Sequence, residues 1–235
     1  MCKLIGISGG TKKNRRAFAW ILANSIEEIR KGTTKAKFDI LYRCWVDLVD
    51  VDHAIVASTN HVIIDSFGDH ILDQVKQFCP TLIPYDLHDD NILSRTRINP
   101  FTFEMYDVNT EPTCTAGELH AMLAEDRKDA ILTLGEFIMY FAHYTMKTAF
   151  GERVWLNVAA STASAVSSDD WRIYEDCKTQ AEINYIKESG GTLVMLVDDT
   201  DHLKSPSTFV ECRLKEQCDQ IYNFINNLYG IQEKS

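Results

Sequence analysis

The sequence has no long apolar run and no excess of positive charge, and each absence excludes a class of function. No stretch reaches the roughly 18 consecutive apolar residues of a membrane-spanning helix, so no membrane partner is expected. The 235 residues carry a formal net charge of −10, whereas nucleic-acid binding usually needs a basic surface that neutralises phosphates. Nucleic acid is therefore disfavoured as a partner, while a small phosphorylated ligand held by a local basic loop remains compatible with the composition.

Motifs for metal binding and for nucleophilic catalysis are scarce as well. The seven cysteines contain no CxxC pair, and the seven histidines show neither HxxxH nor HExxH spacing, so no metal site is predicted. The serine-rich segment 161–168 contains no GxSxG elbow, which argues against a serine hydrolase there. An odd number of cysteines without CxxC spacing indicates free thiols in a reducing compartment. The first residues read as a strand and not as a signal peptide. We therefore expect a cytoplasmic protein.

The chain is organised around residues 4–19, where an apolar strand runs into glycines and then into a basic, helix-forming segment. Glycines let successive backbone N–H groups curve toward one centre, and the next helix adds its positive end, so this layout is typical of a phosphate-binding loop. In the Walker A form a Lys contacts the transferred phosphate and a Ser or Thr holds Mg²⁺. Here Asn14 and Arg15 stand at the positions of the second Gly and the Lys, and Ala17 stands at the position of the metal-binding hydroxyl.

The loop supplies most of the candidate ligand contacts. Arg15 replaces the Lys as a bidentate donor, and the other phosphate-binding candidates are Ser8, Gly9, Gly10, Thr11, Lys12, Lys13, Asn14 and Arg16. A vestigial turn followed by a solvated basic helix start is the alternative interpretation. A basic first turn opposes the helix dipole unless an anion is present, which favours a bound phosphate.

Apolar patterning predicts strands that alternate with helices. The predicted strands are residues 3–8, 61–64, 155–159 and 192–197, and the predicted helices include 14–31, one ending at 78, 115–125, 133–149, 181–189 and 215–229. Residues 37–57 fit either a strand pair or a helix followed by a strand, and 85–114 looks irregular. The alternation predicts an α/β fold with a doubly wound, mainly parallel sheet flanked by helices, in a single domain with insertions at about 35–60 and 85–128.

Four motifs in this order resemble those of the phage-type deoxynucleoside monophosphate kinases, a branch of the P-loop nucleotide kinase fold. The first is the glycine loop. The family's Ser-Phe-Ala-Asp-Pro-Leu-Lys element is similar to residues 66–72 (SFGDHIL), its Thr-Val-Arg-x-Leu-Leu-Gln helix to 133–139 (TLGEFIM), and its Asp-x-Arg-x-x-x-Glu element to 176–182 (DCKTQAE). The resemblance covers most of the chain but excludes 35–60 and 85–128.

The resemblance implies transfer of the γ-phosphoryl group of ATP, with Mg²⁺, to a deoxynucleoside monophosphate. The residues that it implicates in catalysis are Arg15, Asp65, Asp69 and Lys178, and further nucleotide contacts fall on Asp176 and Glu182. Arg15 and Lys13 would stabilise the β and γ phosphates, an Asp would orient the acceptor, and Lys178 would contact the acceptor phosphate. The resemblance also implies a homodimer or a protein partner, and a viral source acting in the host cytoplasm.

The chain departs from the family mainly at its cations. Leu72 and Gly135 stand where the family has Lys and Arg, and Lys178 stands where it has Arg. Phosphoryl transfer depends on positioning and charge stabilisation, so we predict a kinase-like protein with weak or no transfer and a role in binding or assembly. An active kinase is the alternative. Local structural roles compete with both interpretations: Asp65 or Ser66 as a helix cap, and residues 176–182 as an ion-paired turn.

Overall fold

The structure is a computed structural model that describes residues 3–50, 59, 61–122, 129–164, 170–197, 210–212 and 218–229. The chain forms two compact units. The first consists of Met1–Phe67 and Ala160–Ser235, and the second of Gly68–Ala159. The second unit contains the segment 85–128, for which an insertion is predicted.

The strands and helices alternate along most of the described chain. The strands are β1 (Lys3–Gly9), β2 (Val62–Asp65), β3 (Arg97–Ile98), β4 (Met105–Tyr106), β5 (Leu132–Thr133), β6 (Trp171–Tyr174), β7 (Thr192–Leu196) and β8 (Val210–Cys212). The α-helices are α1 (Lys12–Arg30), α2 (Lys35–Asp50), α3 (Phe67–Phe78), α4 (Asp90–Arg95), α5 (Ala116–Met122), α6 (Leu134–Met139), α7 (Lys147–Phe150), α8 (Val154–Ser164), α9 (Gln180–Glu188) and α10 (Cys218–Tyr229). None of these helices is long and apolar enough to cross a membrane.

The first unit is built on a five-stranded sheet with the order β2-β6-β1-β7-β8. Each neighbouring pair is parallel, and β1 lies at the centre, where Gly6 is in register with Tyr174 on one side and Leu193 on the other. The predicted parallel sheet is therefore confirmed. Its strands are predominantly apolar, as expected for a parallel sheet covered on both faces.

Helices cover both faces of this sheet. Alternate residues of β1 point to opposite faces: Ile5 and Ile7 belong to the core cluster that includes Phe18 of α1. On the other face, a Cβ atom added to Gly6 would lie 3.0 Å from Ile186 of α9 and 2.7 Å from the sulfur of Cys177. Glycine at this position is what allows α9 and the chain before it to approach the sheet so closely. This mixed α/β arrangement is compatible with a doubly wound fold.

Helix α2 resolves the choice that the sequence leaves open for residues 37–57. The segment is helical to Asp50, and the part from residue 51 onward lies outside the described chain. Its aromatic residues repeat at helical spacing: Phe38 and Tyr42 are buried, and the Phe38 ring lies 5.1 Å from that of Tyr222 on α10. Burying side chains of this size contributes roughly 1.5–3 kcal/mol each, so packing outweighs the strand preference of the aromatic residues.

The second unit has a core of its own. A three-stranded antiparallel sheet, ordered β4-β3-β5, contributes Ile98 and Leu132 to a buried cluster that also holds Leu134 and Phe137. The helix predicted for 133–149 is confirmed, although the hydrogen bonding widens to a π-helix over Tyr140–Met146. Thr133 caps its start by accepting a hydrogen bond from the Glu136 amide.

The strand predicted at 155–159 is wrong, because these residues lie within α8. Trp155 is buried, and its indole N–H donates to the carbonyl of Ala142 over 3.2 Å. The strand at this point of the fold is β6, which lies between β1 and β2. A buried cation interrupts its apolar pattern: Arg172 pairs with Asp65 on the neighbouring strand at 2.9 Å.

Two substitutions on opposite faces of α2 test the packing of this helix. Phe38→Ala should lower the free energy of unfolding by about 3–5 kcal/mol, because it leaves a cavity between α2 and α10. Ile40→Ala, at a side chain that is 65% exposed, should change it by less than about 0.5 kcal/mol. Urea denaturation followed by circular dichroism measures both. Equal effects would contradict the orientation of the helix.

Candidate functional site

The candidate site of the first unit lies at the carboxyl edge of the parallel sheet. Parallel strands end at a common edge, and α/β proteins bind ligands there, outside the ends of strands from which successive connections run in opposite directions. From β1 the chain continues toward β2, and from β6 it crosses to β7 on the other side of β1. The residues that follow β1, β2 and β6 therefore form the edge where a ligand is expected.

Glycines make the turn from β1 into α1. Gly9 and Gly10 have φ values of 76° and 53°, a region that favours glycine. Helix α1 begins at Lys12, and the Thr11 side chain accepts a hydrogen bond from the Asn14 amide at 3.1 Å. The predicted order of strand, glycine turn and basic helix is present, with Asn14, Arg15 and Arg16 already inside the helix.

The Arg15 side chain turns inward and binds main-chain carbonyls. Its Nε donates to the Glu175 carbonyl at 2.9 Å, and its Nη1 donates to the carbonyls of Gly9 at 3.1 Å and Gly10 at 2.8 Å. The side chain is buried, and its planar fork of donors suits contacts in fixed directions. Arg15 thus ties the end of β1 to the residue that follows β6.

Arg16 makes a second contact with the same residue. Its Nε donates to a carboxylate oxygen of Glu175 at 2.7 Å, and the Glu175 side chain is 6% exposed. A charge-assisted hydrogen bond of this length in a partly buried place is among the stronger polar contacts in proteins. Glu175 therefore receives both arginines, one at its carbonyl and one at its carboxylate. Glu175 belongs to none of the motifs in the sequence, so its role was not predicted.

The remaining cations of the loop face solvent. Lys12 and Lys13 are exposed, and the first turn of α1 contains no acidic residue. Two positive side chains beside the positive end of a 19-residue helix repel one another and oppose the helix dipole. An anion at this position would relieve that repulsion.

Two predicted carboxylates lie near one another at the start of α3. Asp65 accepts from Arg172 at 2.9 Å and from the Ser66 amide at 2.8 Å. Asp176 accepts from the Ser66 hydroxyl at 2.7 Å and from the Phe67 amide at 2.8 Å. Asp176, from the segment after β6, therefore accepts from the first amide of α3. This helix-capping role was predicted for Asp65 or Ser66.

The predicted contacts at 176–182 include a capping box at the start of α9. The Glu182 carboxylate accepts from the amides of Lys178 and Thr179, each at 2.7 Å, and the Thr179 side chain accepts in return from the Glu182 amide. This reciprocal arrangement satisfies amides that a helix start leaves unpaired. The Lys178 side chain is exposed. The Thr-x-x-Glu spacing of residues 179–182 is a signal from which this cap could have been predicted.

Asp69 belongs to the second unit, where its carboxylate is 41% exposed and lies 3.6 Å from Nδ1 of His88. Asp65, the other residue predicted to orient the acceptor, belongs to the first unit. Among the residues that the structure describes, no group of three or more His, Cys, Asp or Glu side chains is arranged to hold a metal ion.

Residues 6–10 also match the GxSxG spacing of a hydrolase elbow. In such an elbow the serine occupies the sharp, strained turn between strand and helix. Ser8 instead lies within β1, and the positive φ values fall on Gly9 and Gly10. The conformation therefore does not present Ser8 as an elbow nucleophile.

Comparison with known proteins adds no assignment. No family model matches the chain, and no significant match occurs among curated proteins. The geometry of the first unit and the motif resemblance are therefore the basis for proposing a function.

Arg15→Ala tests the tie between the strand ends. It should lower the free energy of unfolding by about 3 kcal/mol, because buried carbonyls lose a charged donor. Arg15→Lys should recover part of the loss, since a single ammonium cannot reproduce the fork. Lys12→Ala, at an exposed position in the same helix, should cost less than about 0.5 kcal/mol. A loss no larger for Arg15→Ala than for Lys12→Ala in denaturant titrations would contradict the assignment.

Cys177 provides a test by chemical reactivity. Burial raises the pKa of its thiol well above the ordinary value, so the thiol stays protonated at pH 8 and does not attack alkylating reagents. Cys44 is exposed and should react readily. Iodoacetamide labelling followed by peptide mass spectrometry should modify Cys44 in native protein and Cys177 only after unfolding. Rapid native labelling of Cys177 would show that the packing against Gly6 opens.

Proposed function

We propose that the chain is a nucleotide-kinase-like protein that binds the phosphate groups of a nucleotide at the carboxyl edge of its parallel sheet, with weak or no phosphoryl transfer. The single observation that carries this proposal is the position of the Arg15 guanidinium. Arg15 stands at the sequence position where the kinases that the motifs resemble have their P-loop Lys, and its guanidinium donates to three main-chain carbonyls.

Such an arginine is poorly placed to act on a transferred phosphate. Transfer needs a cation whose donors already point at the charge that develops on the γ-phosphoryl group. To reach a phosphate, Arg15 would have to break the hydrogen bonds that hold the turn. Breaking them would leave buried carbonyl groups without a donor, which costs free energy. Arg16 is engaged with Glu175 at 2.7 Å. The two arginines thus support a rigid turn better than they support catalysis.

Binding is favoured by the exposed basic side chains at the start of α1. Lys12 and Lys13 are exposed at the positive end of α1, next to the glycine turn. A helix start with basic side chains attracts anions through its dipole and backbone amides. In a chain with a net charge of −10, a local basic spot selects a small anion rather than a polyanion such as nucleic acid.

The contacts of three carboxylates that were predicted to bind the acceptor or the nucleotide agree with weak transfer. Asp65 and Asp176 accept hydrogen bonds at the start of α3, and Glu182 caps α9. Each of these carboxylates accepts hydrogen bonds from backbone amides at the start of a helix. Such residues shape a nucleotide-binding edge, and the biological role would then be binding or assembly with a second copy or another protein.

Two measurements on the intact protein test the proposal together. A coupled assay with ATP, Mg²⁺ and each deoxynucleoside monophosphate should show no transfer above background. ATP should nevertheless stabilise the protein in thermal denaturation, because a ligand present at a hundred times its Kd adds about 2.7 kcal/mol. Robust transfer by the wild type would establish the alternative, an active ATP- and Mg²⁺-dependent kinase.

A double variant locates the bound nucleotide. Lys12→Ala with Lys13→Ala should weaken ATP binding by about tenfold, because two charge-assisted contacts are lost. Arg30→Ala, an exposed cation in the last turn of the same helix, serves as the matched control and should leave the affinity unchanged. An unaltered affinity in the double variant, or no stabilisation at millimolar ATP, would overturn the proposed site.

A further inference from the structure

A pocket in the second unit lies in a part of the chain that the kinase resemblance does not cover. Its volume is about 350 Å³, within the range of roughly 300–1,000 Å³ typical of small-molecule sites. The wall is formed by Tyr85, by helix α4 and the residue that follows it, Thr96, and by strand β4 together with Val108. All of the lining residues fall between 85 and 108.

The lining combines flat apolar surface with a few polar groups. Tyr85, Tyr106, Ile92 and Met105 supply two aromatic rings, an aliphatic side chain and a polarizable thioether. Side chains of these types pack favourably against a planar ring. A pocket of mainly apolar surface with a small number of polar side chains is the usual composition of a site for an organic ligand.

Arg95 is the cation among the lining residues, and no carboxylate lines the pocket. Nearby Arg97 differs from it: its Nη1 donates to the Ser94 carbonyl at 2.6 Å and its Nε to the Thr110 carbonyl at 3.0 Å. Within the described chain, the Arg95 guanidinium makes no such hydrogen bond or ion pair. It therefore keeps its fork of donors for a bound group, and a guanidinium recognises carboxylate or phosphate oxygens in a bidentate manner.

A second polar side chain lies one helical turn before Arg95. Asn91 also lines the pocket, and its backbone amide is already bound to the Asp89 carboxylate at 2.8 Å. Its side-chain amide has both a donor and an acceptor. Since residues four apart lie on one face of a helix, Asn91 and Arg95 face the pocket together.

We propose that this pocket binds a small molecule in which a planar ring carries an anionic group. The ring packs against Tyr85, Tyr106 and Met105, the anion binds the Arg95 fork, and the Asn91 amide pairs with a polar edge of the ring. Two sources share this chemistry: a nucleoside monophosphate and an aromatic carboxylate. This site is separate from the glycine turn of the first unit.

Calorimetric titration of the full chain with four probes tests the ring and the anion separately. The probes are AMP, indole-3-acetate, adenosine and inorganic phosphate. At least one of the two ring-bearing anions should bind, and the tighter one identifies the source. Adenosine, which lacks the anion, and phosphate, which lacks the ring, should each bind at least tenfold more weakly. Equal affinity of adenosine and AMP, or no binding of any probe at millimolar concentration, would overturn the proposal.

Substitutions at Arg95 assign the binding to this pocket. Arg95→Ala should weaken the binding of the better probe about tenfold, the effect of losing one charge-assisted contact at an exposed position. Arg95→Lys should retain part of the affinity, and Lys76→Ala, a cation on α3 that does not line the pocket, should retain all of it. Thermal denaturation confirms that each variant is folded. Unchanged binding in Arg95→Ala would overturn the assignment.

The two proposed sites are distinguished by crossing the variants. In the Lys12→Ala, Lys13→Ala protein, the probe affinity that depends on Arg95 should persist. If all AMP and indole-3-acetate binding disappears there and none depends on Arg95, the pocket proposal fails while the nucleotide site at the sheet edge stands. If only the Arg95-dependent binding is found, the reverse holds.

Discussion

The first unit depends on one polar contact, the donation of the Arg15 guanidinium to the carbonyls of Gly9, Gly10 and Glu175. This contact joins the end of the central strand to the residue after its neighbour β6. A glycine turn has little stiffness of its own, because glycine loses more conformational freedom on folding than other residues. The buried arginine supplies that stiffness from inside the helix that the turn introduces.

The carboxyl edge of the sheet is consequently a network of fixed polar groups. Glu175 holds Arg16, Asp65 holds Arg172, and Asp176 holds the first amide of α3. Charges that are paired and partly buried are costly to separate. Paired groups of this kind hold the carboxyl edge in one arrangement, which is compatible with the proposed binding of a ligand there.

The sequence predicted the elements whose signal is local. Strands β1 and β7 are apolar runs, and α1 has helical periodicity with a Thr at its N-cap, so each could be located without knowledge of distant residues. Trp155 and Trp171 show where this fails. Both begin short apolar segments, and only tertiary contacts, the Ala142 carbonyl for the first and the Asp65–Arg172 pair beside the second, decide between helix and strand.

The partners of a side chain were harder to predict than the secondary structure of its residue. The motif resemblance places Arg15 at the position of a P-loop Lys, yet its partner Glu175 is 160 residues away, and no local pattern connects the two. By contrast, the exposure of Lys12 and Lys13 follows from their place at a helix start.

The close packing of Gly6 against Cys177 and Ile186 carries an evolutionary consequence. In related chains, a larger residue at position 6 should be found only together with a smaller one at position 177 or 186, so these sites should covary.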